Sequence, residues 1–231
     1  MQEEMAAHEM RALKKRIAIR FSLIPLFIGL LVLWPAGTFK FWQVYAYLAF
    51  LLVPMLFVVR YFLDKNPKFL ERRLITKEKE GQQRVVVWTS TLVFLAGFML
   101  PGFDHRFGWS NVPTYVVIVA DIAVLIGYSI IILVFKENTY ASRVVEVSKN
   151  QTVISTGPYS IVRHPMYLGV LIMFSVTPLA LGSYWAIIPF AALPAFLVLR
   201  ILNEERLLSE QLPGYKEYCR RIRFRIIPFV W

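Results

Sequence analysis

Hydrophobic and polar positions alternate along the chain in long blocks. Six apolar blocks, each 17 to 23 residues long, stand between clusters of charged residues. A helix needs about 20 apolar residues to cross the roughly 30 Å hydrocarbon core of a bilayer. We therefore predict six transmembrane helices, at residues 17–34, 41–63, 85–103, 113–135, 165–181 and 183–200.

The C-terminal part of this pattern has two special features. Only Gly182 separates the last two blocks, which predicts a tight helical hairpin. Beyond them, apolar residues recur at alternating spacings of four and three, typical of an amphipathic helix lying on the membrane surface and bent at Pro213-Gly214. The predicted fold is an all-α, polytopic membrane protein. The residues of the amphipathic stripe are Leu208, Leu212, Tyr215, Cys219 and Ile222.

Composition agrees with a membrane protein. Hydrophobic residues make up 57% of the 231-residue chain, and its mean hydropathy is +0.54. These values are too high for an ordinary water-soluble domain. The single cysteine excludes an internal disulfide, and together with only three scattered histidines it argues against a zinc finger or ribbon. We expect no metal site.

The formal net charge of +11 reflects membrane topology. With six spans, 24 of the 26 Lys and Arg residues fall on one side, and only Lys40 and Arg106 fall on the other. Cytoplasmic loops carry such an excess of positive charge. Both termini are therefore predicted to be cytoplasmic, with the basic residues meeting anionic lipid headgroups and not nucleic acid.

The polar segments differ in what they offer to chemistry. Residues 64–84 are mostly charged and are predicted to be a solvated linker, while Asp104 and His105 are expected to be solvated on the far side. Asp121 falls inside the fourth span, where internal pairing and a substrate role both stay open. Segments 136–164 and 203–231 bracket the hairpin and contain most of the candidate Tyr, Arg, His and Glu residues.

The first candidate motif runs from Gly157 to Gly169 (GPYSIVRHPMYLG). Pro165 suits the first position of a helix, so Arg163 and His164 stand at a helix start, with a tyrosine on each side. An arginine at a helix N-terminus can clamp a carboxylate or phosphate, and aromatic rings can hold a cation. The alternative is that these residues only anchor the chain at the membrane interface.

The second motif is Asn203-Glu204-Glu205, followed by Gly214-Tyr215. Its acids begin where the last span leaves the bilayer, although a surface helix at anionic headgroups prefers Lys and Arg. The two glutamates diverge by about 100° on a helix. They either contact a ligand or serve as helix N-terminal acids that the macrodipole favours.

Together the motifs predict a ligand with both positive and negative groups. S-adenosylmethionine fits, because its carboxylate suits Arg, its ammonium and ribose suit Glu, and its sulfonium and adenine suit aromatic surfaces. A Gly-rich dinucleotide fingerprint is absent from the sequence, so it gives no support for a Rossmann cofactor site.

At these motifs the chain resembles the integral-membrane methyltransferases that include isoprenylcysteine carboxyl methyltransferase and phospholipid methyltransferases. The resemblance covers residues 136–231. It implies a cofactor-binding and catalytic region at 111–231, after an N-terminal membrane region at 1–110. It also implies that Arg163, Glu204 and Glu205 carry catalysis. The residues that it implies enclose S-adenosylmethionine are Tyr159, Arg163, His164, Tyr167, Gly169, Glu204 and Glu205.

The predicted function is methyl transfer from S-adenosylmethionine to a lipid-like or prenylcysteine-type acceptor at the cytoplasmic membrane face. Arg163 could orient an acceptor carboxylate, whereas a glutamate or His164 could accept a proton from an amine or thiol. The alternative enzyme is an NADPH-dependent sterol reductase, a class that shares the R-H-P-x-Y-L-G run and a tail similar to residues 218–228. A non-enzymatic membrane scaffold is the third possibility.

Overall fold

The computed structural model describes residues 2–74, 81–141, 147 and 151–231, and its regular structure is entirely helical there. A 3₁₀ turn, Gly157–Ser160, precedes the sixth helix. The helices in chain order are α1 Gln2–Ala36, α2 Trp42–Lys65, α3 Pro67–Leu74, α4 Gly81–Phe107, α5 Thr114–Glu137, α6 Pro165–Ala180, α7 Ile187–Phe190, α8 Leu193–Gln211 and α9 Tyr215–Arg221.

The predicted multi-pass architecture is confirmed. Within the described residues, α1, α2, α4, α5 and the stretch Ile187–Gln211 are long and apolar enough to cross a membrane. Helix α6 has 16 residues, so it rises about 24 Å, less than the hydrocarbon thickness. The predicted turn at Gly182 is present and has a φ of +70°, which glycine adopts without steric cost.

The sixth predicted span differs from the observed helix at both ends. Helix α8 begins at Leu193 and continues to Gln211, well beyond residue 200. Glu204 and Glu205 therefore lie in the C-terminal half of a continuous helix and do not start a new one. Since the macrodipole favours acids only at a helix N-terminus, it does not explain these two glutamates.

The segment predicted as a solvated linker contains helix α3. Its Phe69 and Leu70 are buried, and the Phe69 ring lies 4.3 Å from that of Phe62 and 5.2 Å from that of Phe135. The surrounding Lys, Arg and Glu residues make the segment polar on average, so the sequence did not indicate this short apolar face. The helix ties the N-terminal half of the chain to the end of α5, where Arg72 donates a hydrogen bond to the Thr139 carbonyl at 2.6 Å.

Helices α5 and α6 cross at two glycines. A Cβ on Gly169 would lie 2.5 Å from the Gly127 carbonyl oxygen, and a Cβ on Gly127 would lie 2.6 Å from the Gly169 carbonyl oxygen. Small residues allow two membrane helices to approach this closely. Gly169, which the resemblance assigned to the cofactor, is thus placed in a helix crossing.

We expect Gly169→Ala to destabilise the protein by about 1 to 3 kcal/mol, because a methyl group cannot fit against backbone in a packed crossing. Thermal unfolding in detergent measures the effect. Gly29→Ala is the matched control, since its Cβ would meet only Leu33 at an ordinary 3.9 Å. An unchanged melting temperature for Gly169→Ala would contradict the crossing.

Asp104, predicted to be solvated, is 1% exposed. It accepts hydrogen bonds from the Ser110 amide and hydroxyl, each at 2.6 Å, and from the Ser183 hydroxyl. The prediction was wrong because these donors come from two distant turns, which the sequence alone does not bring together. His105 remains exposed, with its ring stacked 4.0 Å from that of Phe41.

The residues of the amphipathic stripe pack into one cluster. The helix that carries them is interrupted at Pro213-Gly214, as predicted. Its apolar residues pack against Val147, Val153 and Tyr159. The stripe therefore faces the segment before α6 and closes one side of a cleft.

Candidate functional site

A cleft that is open to solvent lies where the C-terminal end of α5, the start of α6, and helices α8 and α9 meet. Tyrosines, leucines and a few charged groups line it. The lining side chains with chemical function include Asn138, Tyr140, Tyr159, Arg163, His164, Tyr167, Arg200, Glu204, Tyr215 and Tyr218.

Glu205 is the centre of a buried ion cluster beside this cleft. Its Oε1 lies 2.7 Å from Arg163 Nε and 3.2 Å from His164 Nε2, and its Oε2 lies 2.9 Å from Arg225 Nε. The side chains of Arg163 and Glu205 are only 8% and 12% exposed. Two arginines facing one carboxylate leave this wall of the cleft net positive.

Glu204 has a different environment, although it is the next residue. It lines the cleft, and its Oε2 accepts a 2.6 Å hydrogen bond from the Tyr167 hydroxyl. Arg200 Nε in turn donates to the Tyr167 hydroxyl at 3.0 Å. The divergence of neighbouring helical side chains therefore gives the two glutamates different positions: Glu204 faces the cleft, and Glu205 holds the cations beside it.

Segment 222–231 fixes the start of α6. The amides of Arg163 and His164 donate to the carbonyls of Phe224 and Arg225 at 2.9 and 2.8 Å. Arg163 Nη1 also approaches the carbonyls of Cys219 and Ile222 at 3.4 and 3.3 Å. Arg163 is therefore committed to protein partners through Nε and Nη1. It is less suited to orienting an acceptor carboxylate than the sequence suggested.

Sequence analysis missed the position of Arg225 in this cluster. The sequence signal is the Arg-Ile-Ile-Pro run at residues 225–228, which the sequence analysis relates only to the tail of the sterol reductases. Arg225 follows Glu205 by 20 residues, and helix α9 lies between them in the sequence. Neither periodicity nor motif spacing therefore relates the two residues.

Tyrosine hydroxyls form a second network in the cleft. Asn138 Nδ2 donates to the Tyr159 hydroxyl at 2.9 Å, and the Tyr218 hydroxyl donates to the Tyr159 carbonyl at 2.8 Å. Burial raises the pKa of Tyr159 to about 12, although the Asn138 bond opposes this shift. Burial also raises the pKa of Tyr218 and Tyr215 above the ordinary tyrosine range. These residues stay neutral at physiological pH; the Tyr218 hydroxyl donates a hydrogen bond and the Tyr159 hydroxyl accepts one.

The Tyr215 and Tyr218 hydroxyls provide a matched pair for mutation. The Tyr215 hydroxyl is buried and has no nitrogen or oxygen partner in the described part of the chain, while Tyr218 donates to Tyr159. We expect Tyr218→Phe to cost about 1 kcal/mol of stability and Tyr215→Phe to cost less, because the Tyr218 hydroxyl bonds a carbonyl oxygen, whereas the Tyr215 hydroxyl meets the Cys219 sulfur, a weak hydrogen-bonding partner. Thermal unfolding of the two ligand-free variants tests this expectation. Equal losses would contradict it.

The structure thus brings most of the predicted site residues together. Their chemical roles remain predictions. Gly169 instead lies in the α5–α6 crossing, and Glu205 lies beside the cleft and not on its lining. No group of three or more possible metal ligands occurs among the described residues. The residues that line the cleft as predicted are Tyr159, Arg163, His164, Tyr167 and Glu204.

Comparison with known proteins identifies the part of the chain that forms this cleft. Residues 115–213 match the phospholipid methyltransferase family. The predicted resemblance to integral-membrane methyltransferases is confirmed over these residues. The matched residues, 115–213, supply the cleft walls contributed by α5, α6 and α8, and Tyr215 and Tyr218 lie just beyond them.

Two proteins are similar in sequence to parts of the chain. The cobalt-zinc-cadmium resistance protein CzcN of Cupriavidus metallidurans is 27% identical over 146 residues, which cover 61% of this chain and 62% of that protein. The Delta(14)-sterol reductase TM7SF2 of Mus musculus is 32% identical over 92 residues, covering 38% of this chain and 22% of that protein. The chain thus spans about three fifths of the first relative and about a fifth of the second.

Proposed function

We propose that the protein is an S-adenosylmethionine-dependent methyltransferase that methylates a lipid-like acceptor at the membrane face where α6 begins. One observation carries the proposal. Arg163 and Glu204 come from motifs 41 positions apart in the chain, yet they line the same cleft, and both belong to residues 115–213, which match the phospholipid methyltransferase family.

The chemistry of the cleft fits this cofactor. The positive wall around Arg163 favours the carboxylate of the amino acid portion, and Glu204 favours its ammonium or a ribose hydroxyl. The rings of Tyr159 and Tyr167 offer faces to a sulfonium or to adenine. When bound, S-adenosylmethionine supplies an electrophilic methyl group on its sulfonium.

The residues of the chain mainly contribute alignment and exclusion of water. Tyr167 holds Glu204 in one orientation, and the Glu205 cluster fixes Arg163 and His164 at the start of α6. Held groups of this kind lower the barrier of an in-line transfer, which needs little acid–base catalysis. An acceptor that loses a proton on methylation has Glu204 and His164 within the cleft as candidate bases.

The length of α6 supports a lipid-like acceptor. A helix of 16 residues rises about 24 Å, which is about 6 Å less than the hydrocarbon core. We infer that the cleft at its N-terminus is recessed toward the acyl chains. A polar group carried by a membrane lipid could reach the cleft without leaving the bilayer.

We assign the chemistry to residues 111–231 and an accessory role to residues 1–110. The family match supports this division, since it begins at residue 115. The N-terminal region also reaches the site through helix α3. Its Arg72 contacts Thr139 and the Tyr140 ring beside the cleft.

Ligand-dependent thermal unfolding of the detergent-purified protein tests the proposal. S-adenosylmethionine and S-adenosylhomocysteine should raise the melting temperature, because a ligand that binds only the native state stabilises it by mass action. NADPH should not. Stabilisation by NADPH alone would overturn the proposal.

That NADPH result would support a sterol-type reductase, the second candidate. The partial match to the Delta(14)-sterol reductase favours this candidate. The match covers only about a fifth of the mouse protein, so the cofactor measurement decides between the two reactions.

A further inference from the structure

Residues 225–231 form a closed loop at the site. The Trp231 carbonyl accepts hydrogen bonds from the amides of Arg225, Ile226 and Ile227, at 2.8 to 3.3 Å, and the Trp231 amide donates to the Ile227 carbonyl at 3.1 Å. The Trp231 ring lies 5.0 Å from the Arg225 guanidinium. The loop therefore holds the arginine that binds Glu205.

This loop exposes apolar side chains that the described chain leaves uncovered. Phe229 is 90% exposed and Val230 is 74% exposed. Phe229 also has a φ of +64°, a conformation that a phenylalanine rarely adopts. In this conformation the Phe229 ring lies 5.1 Å from the Phe224 ring.

Exposed basic residues surround these apolar groups. Between Gly214 and Trp231 the sequence has five Lys and Arg residues and one acid, Glu217. Apart from Arg225, the basic side chains of this segment are exposed. Apolar tips among cations are the surface that binds an anionic lipid leaflet. The exposed basic residues are Lys216, Arg220, Arg221 and Arg223.

The position of the loop matches the membrane interface. Ile226 is buried against Tyr167 and Ile201, and the same cluster includes Leu168 and Leu171 of α6. These leucines and Tyr167 belong to the first two turns of the helix that enters the membrane. The loop therefore packs against the N-terminal turns of α6, and we infer that it lies near the membrane interface.

We propose that residues 220–231 dock on the anionic lipid leaflet at the site's face and that this docking strengthens cofactor binding. The inference rests on the proposed methyltransferase function and adds a regulation of its site. Docking would favour the loop conformation seen in this structure. The loop in turn holds the backbone at Arg163 and His164 and, through Arg225, the Glu205 carboxylate.

The test measures the affinity of S-adenosylhomocysteine for the full chain in lipid nanodiscs. One set contains phosphatidylcholine alone, and the other contains phosphatidylcholine with phosphatidylglycerol. We expect binding to be roughly fivefold tighter in the anionic discs, since one basic residue near such a surface contributes about that factor. Equal affinity in the two lipids would overturn the inference alone. Absence of binding in both would overturn the proposed function and, with it, this inference.

Two variants separate docking from folding. Phe229→Gly suits the positive φ and removes the exposed ring, so it should keep the melting temperature in detergent but reduce the lipid response. Replacing Arg220, Arg221 and Arg223 together by glutamine should abolish the response. The matched control replaces the exposed residues Arg11, Lys14 and Lys15 of α1 by glutamine and should keep it. A full response in both loop variants, or its loss in the control, would contradict docking by this loop.

Discussion

Glu205→Gln is expected to destabilise the protein by about 3 kcal/mol or more. The substitution leaves Arg163, His164 and Arg225 without the carboxylate that they share, and breaking a buried ion pair by removing one partner is costly. Since the same change releases the start of α6, cofactor binding should fall as well. Thermal unfolding in detergent measures the loss of stability.

Glu210→Gln is the matched control for this effect. Glu210 lies on the same helix and is exposed, so its neutralisation should leave the melting temperature nearly unchanged. If Glu205→Gln unfolds at the same temperature as this control, the ion cluster does not hold the site together.

Glu204→Gln is expected to have the opposite profile: nearly normal stability and at least a tenfold loss of cofactor affinity. Glu204 lines the cleft and receives a hydrogen bond from Tyr167, which a glutamine oxygen can also accept. The charge that a ligand ammonium or ribose needs is lost, and a hydrogen bond to a charged group contributes about 1.5 to 3 kcal/mol. Isothermal titration with S-adenosylhomocysteine gives the affinity.

The comparison between the two glutamates is the informative result. A cofactor affinity within twofold of the unsubstituted protein for Glu204→Gln would remove Glu204 from the binding site. Large and equal losses of stability in both variants would show that the two acids share one structural role.

Much of the fold could be predicted from the sequence because membrane burial imposes a strong and local rule. Each apolar block has to satisfy its own backbone hydrogen bonds, so it becomes a helix, and Gly182 and Pro213-Gly214 mark turns. Helix α3 was not predicted, because its buried apolar face consists of Phe69 and Leu70 within a charged tract. The contacts of Asp104 were not predicted, because they join turns that are distant in the sequence.

The candidate site was only partly predictable, for a related reason. Local signals placed Arg163 and His164 before Pro165 at a helix start, and the resemblance named Glu204. Arg163 and His164 contact Glu205 through their side chains and residues 222–225 through their backbone amides. Both sets of contacts depend on tertiary packing. For the same reason, only the structure distinguishes Glu204, which faces the cleft, from Glu205, which holds the cations.

Transfer of a labelled methyl group to lipid is the direct test of the proposed methyltransferase activity. The purified protein is incubated with S-adenosylmethionine carrying a radioactive methyl group and with a total lipid extract, and the organic phase is then counted. We expect label in a lipid product that depends on the protein and falls at least tenfold with Glu204→Gln. Lipid that stays unlabelled under conditions where the protein binds the cofactor would contradict a lipid-like acceptor.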